Sequence, residues 1–146
     1  MKTLFKTLAC TLFLATTLGS APVGAEERPP VADKVVAYQG EGGVKVWTLR
    51  IGERSANQAL VQVEGVDHDW NMKIRKMDVE KSSRGTRYAT EVDGQRFVAL
   101  SVQDGYGELY LPGESQPVRV YSDNSLGEQG NAQYFLTDYL KQSDAQ

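Results

Sequence analysis

From Lys34 onward, apolar and polar residues alternate along most of the chain, and turn residues interrupt the alternation every eight to twelve positions or so. A period of two places successive side chains on opposite faces of a β-strand. Short strands that recur at this spacing are typical of β-sandwiches and β-barrels. The pattern therefore predicts an all-β fold, and it constrains the architecture more than any other feature of the sequence.

Eight strands are predicted, at residues 34–38, 44–51, 58–64, 72–80, 87–92, 96–102, 109–111 and 117–121. Asp93-Gly94 gives the strongest hairpin signal. The apolar residues of the fourth strand change phase along its length, which predicts a β-bulge near Lys76. Consecutive short strands joined by tight turns favour a small antiparallel meander barrel, because closure removes the exposed edges.

The C-terminal segment changes from strand to helix periodicity. Apolar residues recur there at helical spacing and predict an amphipathic helix over residues 131–142, with a stripe made of Ala132, Phe135, Leu136, Tyr139 and Leu140. Ser125 and Glu128 have the spacing of a capping box. The apolar stripe is expected to pack on one mouth or one side of the barrel.

The N-terminal segment has the three-part pattern of a secretory signal peptide. Lys2 and Lys6 precede an uncharged apolar run over residues 7–18, and Val23-Gly24-Ala25 supplies small residues for cleavage after about Ala25. The run is too short for a permanent membrane span. The predicted organisation is a cleavable signal over 1–25, a flexible leader over 26–33 and one barrel domain over 34–146, located in the periplasm or secreted.

Charge and composition narrow the classes of function. Removing Lys2 and Lys6 from the 16 basic residues leaves 14 against 19 acidic residues, a net charge of about −5, which does not favour a nucleic-acid partner. The single cysteine, Cys10, lies in the predicted signal, so the exported chain has no disulfide or thiolate metal site. His68 is the one histidine and no nucleophile motif accompanies it. We therefore expect a protein that is not an enzyme and has no cofactor.

Asp67, Asp69 and Asn71 have the spacing that opens a calcium-binding loop. Met72, however, occupies the position where such a loop requires glycine. The pattern is a weak metal candidate, and a polar loop between two strands is the favoured interpretation.

Residues 81–88 form the other polar connection of interest. Its prominent residues are Ser83, Arg84, Gly85, Arg87 and Tyr88. Binding residues concentrate on loops of rigid scaffolds, and Arg and Tyr are favoured at interfaces. An ordinary solvated connection, with the tyrosine half-buried on a strand, is an equally good interpretation.

The run Arg84-Gly85-Thr86-Arg87-Tyr88 resembles the S-G-x-x-Y motif of the periplasmic or membrane-bound inhibitors of c-type lysozymes, and matches its glycine and tyrosine. A glycine turn with a following aromatic, at Gly94 and Phe97, and the first strand are also similar to that family. Arg84 replaces the motif serine, with Ser83 one place early, Gln39 replaces a cysteine, and the helix has no counterpart. The resemblance implies an exported eight-stranded barrel that inserts a loop into the cleft of a lysozyme.

Three functions follow as hypotheses. The first is an envelope protein that inhibits a lysozyme or another muramidase-type cell-wall hydrolase, with residues 83–85, 87 and 88 binding the partner. The second is a calycin-like barrel for a small apolar ligand, lined by Trp47, Tyr88, Phe97 and Tyr110. The third is an immunity protein against a periplasmic cell-wall toxin. The sequence predicts neither the partner's identity nor the oligomeric state.

Overall fold

The chain forms a closed barrel of eight antiparallel strands in which each strand pairs with its neighbours in sequence and β1 pairs with β8. The computed structural model describes residues 28–144, so the predicted signal peptide lies outside the described residues. The predicted barrel with a C-terminal helix is confirmed. The elements are β1 (Val36–Gly40), β2 (Lys45–Ile51), β3 (Gln58–Glu64), β4 (Ile74–Ser82), β5 (Gly85–Val92), β6 (Gln95–Gln103), β7 (Tyr106–Leu109), β8 (Val118–Ser122), α1 (Asn124–Gln129) and α2 (Ala132–Asp144).

Side chains from all eight strands fill the barrel interior, since alternate residues point inward. The interior cluster includes the fully buried residues Val46, Ala59, Val61, Ala99, Leu100, Leu109 and Val120. Trp70, from the connection between β3 and β4, packs into the same cluster at one end of the barrel. This packed core fixes the strands that carry the surface described below.

Helix α2 packs against one side of the barrel. Its apolar stripe covers outward-facing residues of β2, β3 and β4, in a second cluster that contains Leu49, Ile51, Leu60, Ile74, Phe135 and Leu136. The predicted stripe is therefore confirmed as a packing surface. Asn131 caps the helix start, because its Oδ1 accepts a hydrogen bond from the Tyr134 N–H at 3.0 Å.

The capping box predicted at Ser125 and Glu128 is wrong. Asp123 is the N-cap of α1, and its Oδ1 accepts a hydrogen bond from the Leu126 N–H at 2.9 Å. Helix α1 lies against β1, where Gly127 comes close to the backbone of Val35. The short helix thus covers the part of β1 that extends beyond its pairs with β8.

The β-bulge predicted near Lys76 is also wrong. The register between β3 and β4 is unbroken from Gln58↔Asp78 to Gln62↔Ile74. The change of apolar phase arises because both faces of β4 are buried: Ile74 packs beneath α2, whereas Met77 faces the barrel interior. The register shift of this sheet lies between β5 and β6 instead, next to Tyr88.

The described part of the predicted leader, residues 28–33, is held against the barrel. Val31 bridges Ile51, and the Ala32 N–H donates to Arg50 O at 3.0 Å. Arg28 donates to the Gln133 carbonyl and to the Thr137 hydroxyl on α2. These contacts replace the free tether that the sequence predicts. Within residues 28–144 there is no helix with the length and apolar character needed to cross a membrane.

Candidate partner-binding surface

The predicted binding segment is a tight hairpin turn. Ser82 pairs with Gly85, so that Ser83 and Arg84 form a two-residue connection between β4 and β5. The Arg84 N–H donates to the Ser82 Oγ at 3.1 Å, and both turn residues are exposed. The turn projects Arg84 from the barrel rim but does not extend as a long insertion.

Gly85 is required by the backbone. Its φ of +119° lies in a region that L side chains rarely adopt, and a Cβ there would lie 2.2 Å from the carbonyl oxygen of Val102. The glycine of the motif-like run therefore has a structural cause within the hairpin, independent of any partner.

Arg87 and Tyr88 point in opposite directions, because they are successive residues of β5. Arg87 is exposed, whereas Tyr88 is only 8% exposed and belongs to the interior cluster. Burial raises the pKa of the Tyr88 hydroxyl, and the neighbouring Thr48 and Arg50 partly oppose that rise. Of the predicted partner-binding residues, Ser83, Arg84 and Arg87 are on the exposed surface, and Tyr88 faces away from it.

Arg84 and Arg87 border the outer side of β6, β7 and β8, opposite the side that α2 covers. Cross-strand pairing places Arg87 beside Ser101, Ser101 beside Glu108 and Glu108 beside Arg119. The next row contains Gln103, Tyr106 and Tyr121. We call this surface the Tyr–Arg face and define it by Arg84, Arg87, Tyr106, Tyr110, Arg119 and Tyr121.

Two tyrosines of the Tyr–Arg face contact each other with tilted rings. The ring centroids of Tyr106 and Tyr121 lie 5.5 Å apart at an interplanar angle of 57°, and Tyr121 is 54% exposed. A cavity of about 230 Å³ separates them from Arg84, which lines it together with Gln103 and Glu108. The face therefore offers a rigid aromatic pair next to an exposed arginine.

Glu108, which lies among the residues of the Tyr–Arg face, already accepts hydrogen bonds from two of its tyrosines. Glu108 accepts from the Tyr110 hydroxyl at 2.5 Å and from the Tyr106 hydroxyl at 3.4 Å. The bond to Glu108 raises the pKa of Tyr110. Within residues 28–144 the one ion pair joins Arg96 to Glu80. The three arginines of the face are thus without an ion-pair partner in the described chain, and their combined charge exceeds that of Glu108.

Sequence reasoning missed Tyr106, Tyr110, Tyr121 and Arg119 as members of one surface. The alternation around β7 and β8 indicates that these residues face outward, because they alternate with the buried Leu109 and Val120. The pairing of β6 with β7 and of β7 with β8 brings that phase next to Arg87, and pairing partners cannot be read from alternation alone.

The Asp67–Asn71 segment has a structural role at the other end of the barrel. The Asn71 Oδ1 accepts from the Val66 N–H at 3.1 Å, and Asp67 and Asp69 are exposed. No group of three His, Cys, Asp or Glu residues in the described part of the chain could hold a metal ion. Met72 itself adopts a φ of +65°, so the loop makes the left-handed turn without glycine, and β4 starts at Ile74.

Two of the four aromatic residues expected to line a ligand cavity face the interior. Tyr88 and Phe97 pack in or against the interior cluster, whereas Trp47 packs with the α2 cluster and donates to the Glu64 Oε2 at 3.0 Å. Tyr110 belongs to the Tyr–Arg face. A cavity of about 600 Å³ is lined by residues of both charges, among them Asp33, Arg50, Glu53, Arg54 and Lys81.

Comparisons with known proteins give no relative. No protein-family model matches the chain, and no significantly similar curated protein or solved structure is found. The resemblance to the lysozyme inhibitors therefore stays a prediction from the motif-like run and the strand pattern.

Proposed function

We propose that this protein is exported to the bacterial envelope and inhibits a cell-wall hydrolase of the lysozyme or muramidase type by binding it through the Tyr–Arg face. The observation that carries the proposal is the grouping of three exposed arginines, Arg84, Arg87 and Arg119, around the exposed Tyr121 and the half-buried Tyr106 and Tyr110. None of the three arginines forms an ion pair with a described residue. Tyrosine and arginine are the residues that most often anchor protein interfaces.

The charge pattern suits such a target. Glycoside hydrolases cleave their substrates with a pair of carboxyl groups in a cleft. Exposed guanidinium groups form strong, charge-assisted hydrogen bonds with carboxylates. The net negative charge of the exported chain would at the same time steer it toward a basic enzyme. The cationic face would bind the carboxylates of the cleft, and the negative charge of the whole protein would attract a basic enzyme.

The N-terminal signal pattern supports the same proposal, because cell-wall hydrolases act outside the cytoplasmic membrane. Without export, the protein and its proposed target would not meet. The packed barrel interior favours a role of the outer surface over one that requires an internal ligand.

The test is an inhibition assay with the purified protein and c-type, g-type and i-type lysozymes, in which lysis of cell walls is followed by turbidity. We expect inhibition of at least one class. We also expect Arg84→Ala and Arg87→Ala to weaken it by about tenfold or more each, as loss of an interface anchor typically does.

Arg54→Ala is the matched control, since Arg54 is an exposed arginine on the β2–β3 connection and is not a member of the Tyr–Arg face. It should inhibit as well as the parent. Absence of inhibition of all three lysozyme classes would overturn the lysozyme assignment. Equal losses in Arg54→Ala and Arg87→Ala would overturn the assignment of the face.

A further inference from the structure

Strands β4 and β5 separate along part of their length. Their pairs run from Ser82↔Gly85 to Asp78↔Ala89, after which β4 continues to Ile74 while paired only with β3. A cavity of about 380 Å³ lies in this region, next to the C-terminal turn of α2. We call it the seam cavity; its lining includes Lys73, Arg75, Lys76, Thr90, Gln142 and Ser143.

The side-chain amide of Gln142 bonds the backbone of β4 at the seam cavity, where β4 has no pairing partner in β5. Its Nε2 donates to Ile74 O and its Oε1 accepts from the Ile74 N–H, each at 2.8 Å. These two bonds satisfy the backbone of β4 where β5 has turned away. The wall of the seam cavity is therefore fixed by hydrogen bonds.

The seam cavity concentrates positive charge in an otherwise acidic protein. Lys73, Arg75 and Lys76 line it, and none of its described lining residues is acidic. Like charges placed together raise the free energy of the folded state unless an opposite charge joins them. Nothing in residues 28–144 forms an ion pair with these three side chains.

Arg75 is held in place and retains an unused donor. Its guanidinium carbon lies 4.4 Å from the ring centroid of Trp70. Trp70 is itself fixed by edge-to-face contact with Phe97 at 5.8 Å. The Arg75 Nε is buried and has no hydrogen-bond partner among the described residues. A buried donor without a partner is costly, and burial also lowers the pKa of this guanidinium.

We propose that the seam cavity binds an oxyanion, either a phosphate or a carboxylate group of a small molecule. The Arg75 guanidinium supplies the directional donors, which match the planar geometry of such groups. Lys73 and Lys76 supply further positive charge, and the Thr90 hydroxyl is a neutral donor. The cavity volume is at the lower end of the range of small-molecule sites. The site lies apart from the Tyr–Arg face and does not depend on the proposed inhibition.

The experiment is a titration of the purified protein with inorganic phosphate and, separately, with malonate, each at constant ionic strength maintained with sodium chloride. Binding is followed by Trp70 fluorescence in a Trp47→Phe background, because Trp70 contacts Arg75 directly. We expect saturable binding of at least one probe in the millimolar range or tighter. The probe that binds more tightly identifies the favoured anion.

Two variants test the residues. Arg75→Lys retains the charge but loses the planar group, and the double variant Lys73→Ala/Lys76→Ala removes two exposed side chains whose loss should leave the fold intact. Each is expected to weaken binding by about tenfold or more, the effect of one lost charge-assisted bond. Lys81→Ala, an exposed lysine at the far end of β4, should bind as the parent does. No saturable binding of either probe, or equal binding by parent and double variant, would overturn the proposal.

Discussion

Gln142 and Ile74 are joined by a reciprocal pair of hydrogen bonds, in which the side-chain amide of a helix residue bonds both the N–H and the C=O of a strand residue. The two residues are 68 positions apart in the sequence. The pair fastens the last turn of α2 to β4, and it adds directional bonds to the apolar contact of Phe135 and Leu136 with the same side of the barrel.

Replacing Gln142 by alanine should lower the free energy of unfolding by about 1–2 kcal/mol, because two partly buried backbone groups lose their partners. Urea unfolding monitored by circular dichroism measures the change. Gln129→Ala, which removes an exposed glutamine at the end of α1, is the control and should unfold like the parent. An unchanged midpoint for Gln142→Ala would mean that water replaces both bonds at no cost.

Gly85→Ala should be among the most destabilising glycine substitutions in the barrel. It combines an unfavourable φ with a Cβ placed 2.2 Å from Val102 O, and we expect a loss of about 3–5 kcal/mol. Gly94→Ala is the comparison, since Gly94 has a φ of +77° but nothing within 4 Å of the added Cβ. Its cost should be about 1–2 kcal/mol. Thermal unfolding of both variants distinguishes them, and equal losses would contradict the steric argument.

Alkaline pH should destabilise the protein through Tyr38. Burial is the main cause that raises the pKa of Tyr38 from 10.0 to about 12, with a smaller contribution from Tyr88. The unfolded chain releases this proton near pH 10, whereas the folded chain retains it until about pH 12. Stability is therefore fully present below pH 10 and falls as the pH rises toward 12, by about 2–3 kcal/mol for this residue.

Tyr38→Phe should flatten that part of the stability profile, measured by urea unfolding at several pH values between 9 and 12 or so. Tyr134→Phe is the control, because Tyr134 is 72% exposed. It should follow the parent profile. A parent and a Tyr38→Phe variant with identical slopes above pH 10 would exclude Tyr38 as the cause.

His68 ties together two loops at the end of the barrel where Trp70 is buried. Its Nδ1 accepts from the Trp70 N–H at 3.1 Å, which leaves Nε2 to donate to Pro112 O at 2.8 Å. His68→Ala removes both bonds and should cost about 2 kcal/mol. It should also shift Trp70 emission to longer wavelength as water enters. Asp69→Ala changes an exposed neighbour and should leave stability and emission unaltered.

Local patterns predicted the barrel because its strands alternate and its turns carry recognisable residues. The alternation predicts the strand Gln58–Glu64 with its observed bounds. The Asp93-Gly94 turn has positive φ at both residues, as a tight hairpin requires. Stretches that are buried on both faces are harder to predict from alternation. In β4 the apolar residues beneath α2 and those in the barrel interior follow different phases, and a single strand shows no sign of the helix that covers it.

The candidate sites depend on contacts between distant parts of the chain. Tyr88 lies within a polar run that favours a place in the binding segment, but the register of β5 turns its side chain into the core. The sequence gives no sign that Arg75 will contact Trp70 or that its Nε will be buried without a hydrogen-bond partner. Both outcomes are set by which strands pair, and at what point two of them diverge.

The closing pairs of the barrel join Tyr38, Gln39 and Gly40 to Ser122, Tyr121 and Val120, at opposite ends of the strand sequence. Folding by this route cannot be completed until nearly the whole chain is present, because β8 supplies the final strand. A truncated product that lacks β8 would leave β1 and β7 as two open sheet edges, each able to pair with another chain. Shortened chains should therefore accumulate as insoluble material rather than as smaller barrels, and proteolytic loss of the C-terminal region should have the same result.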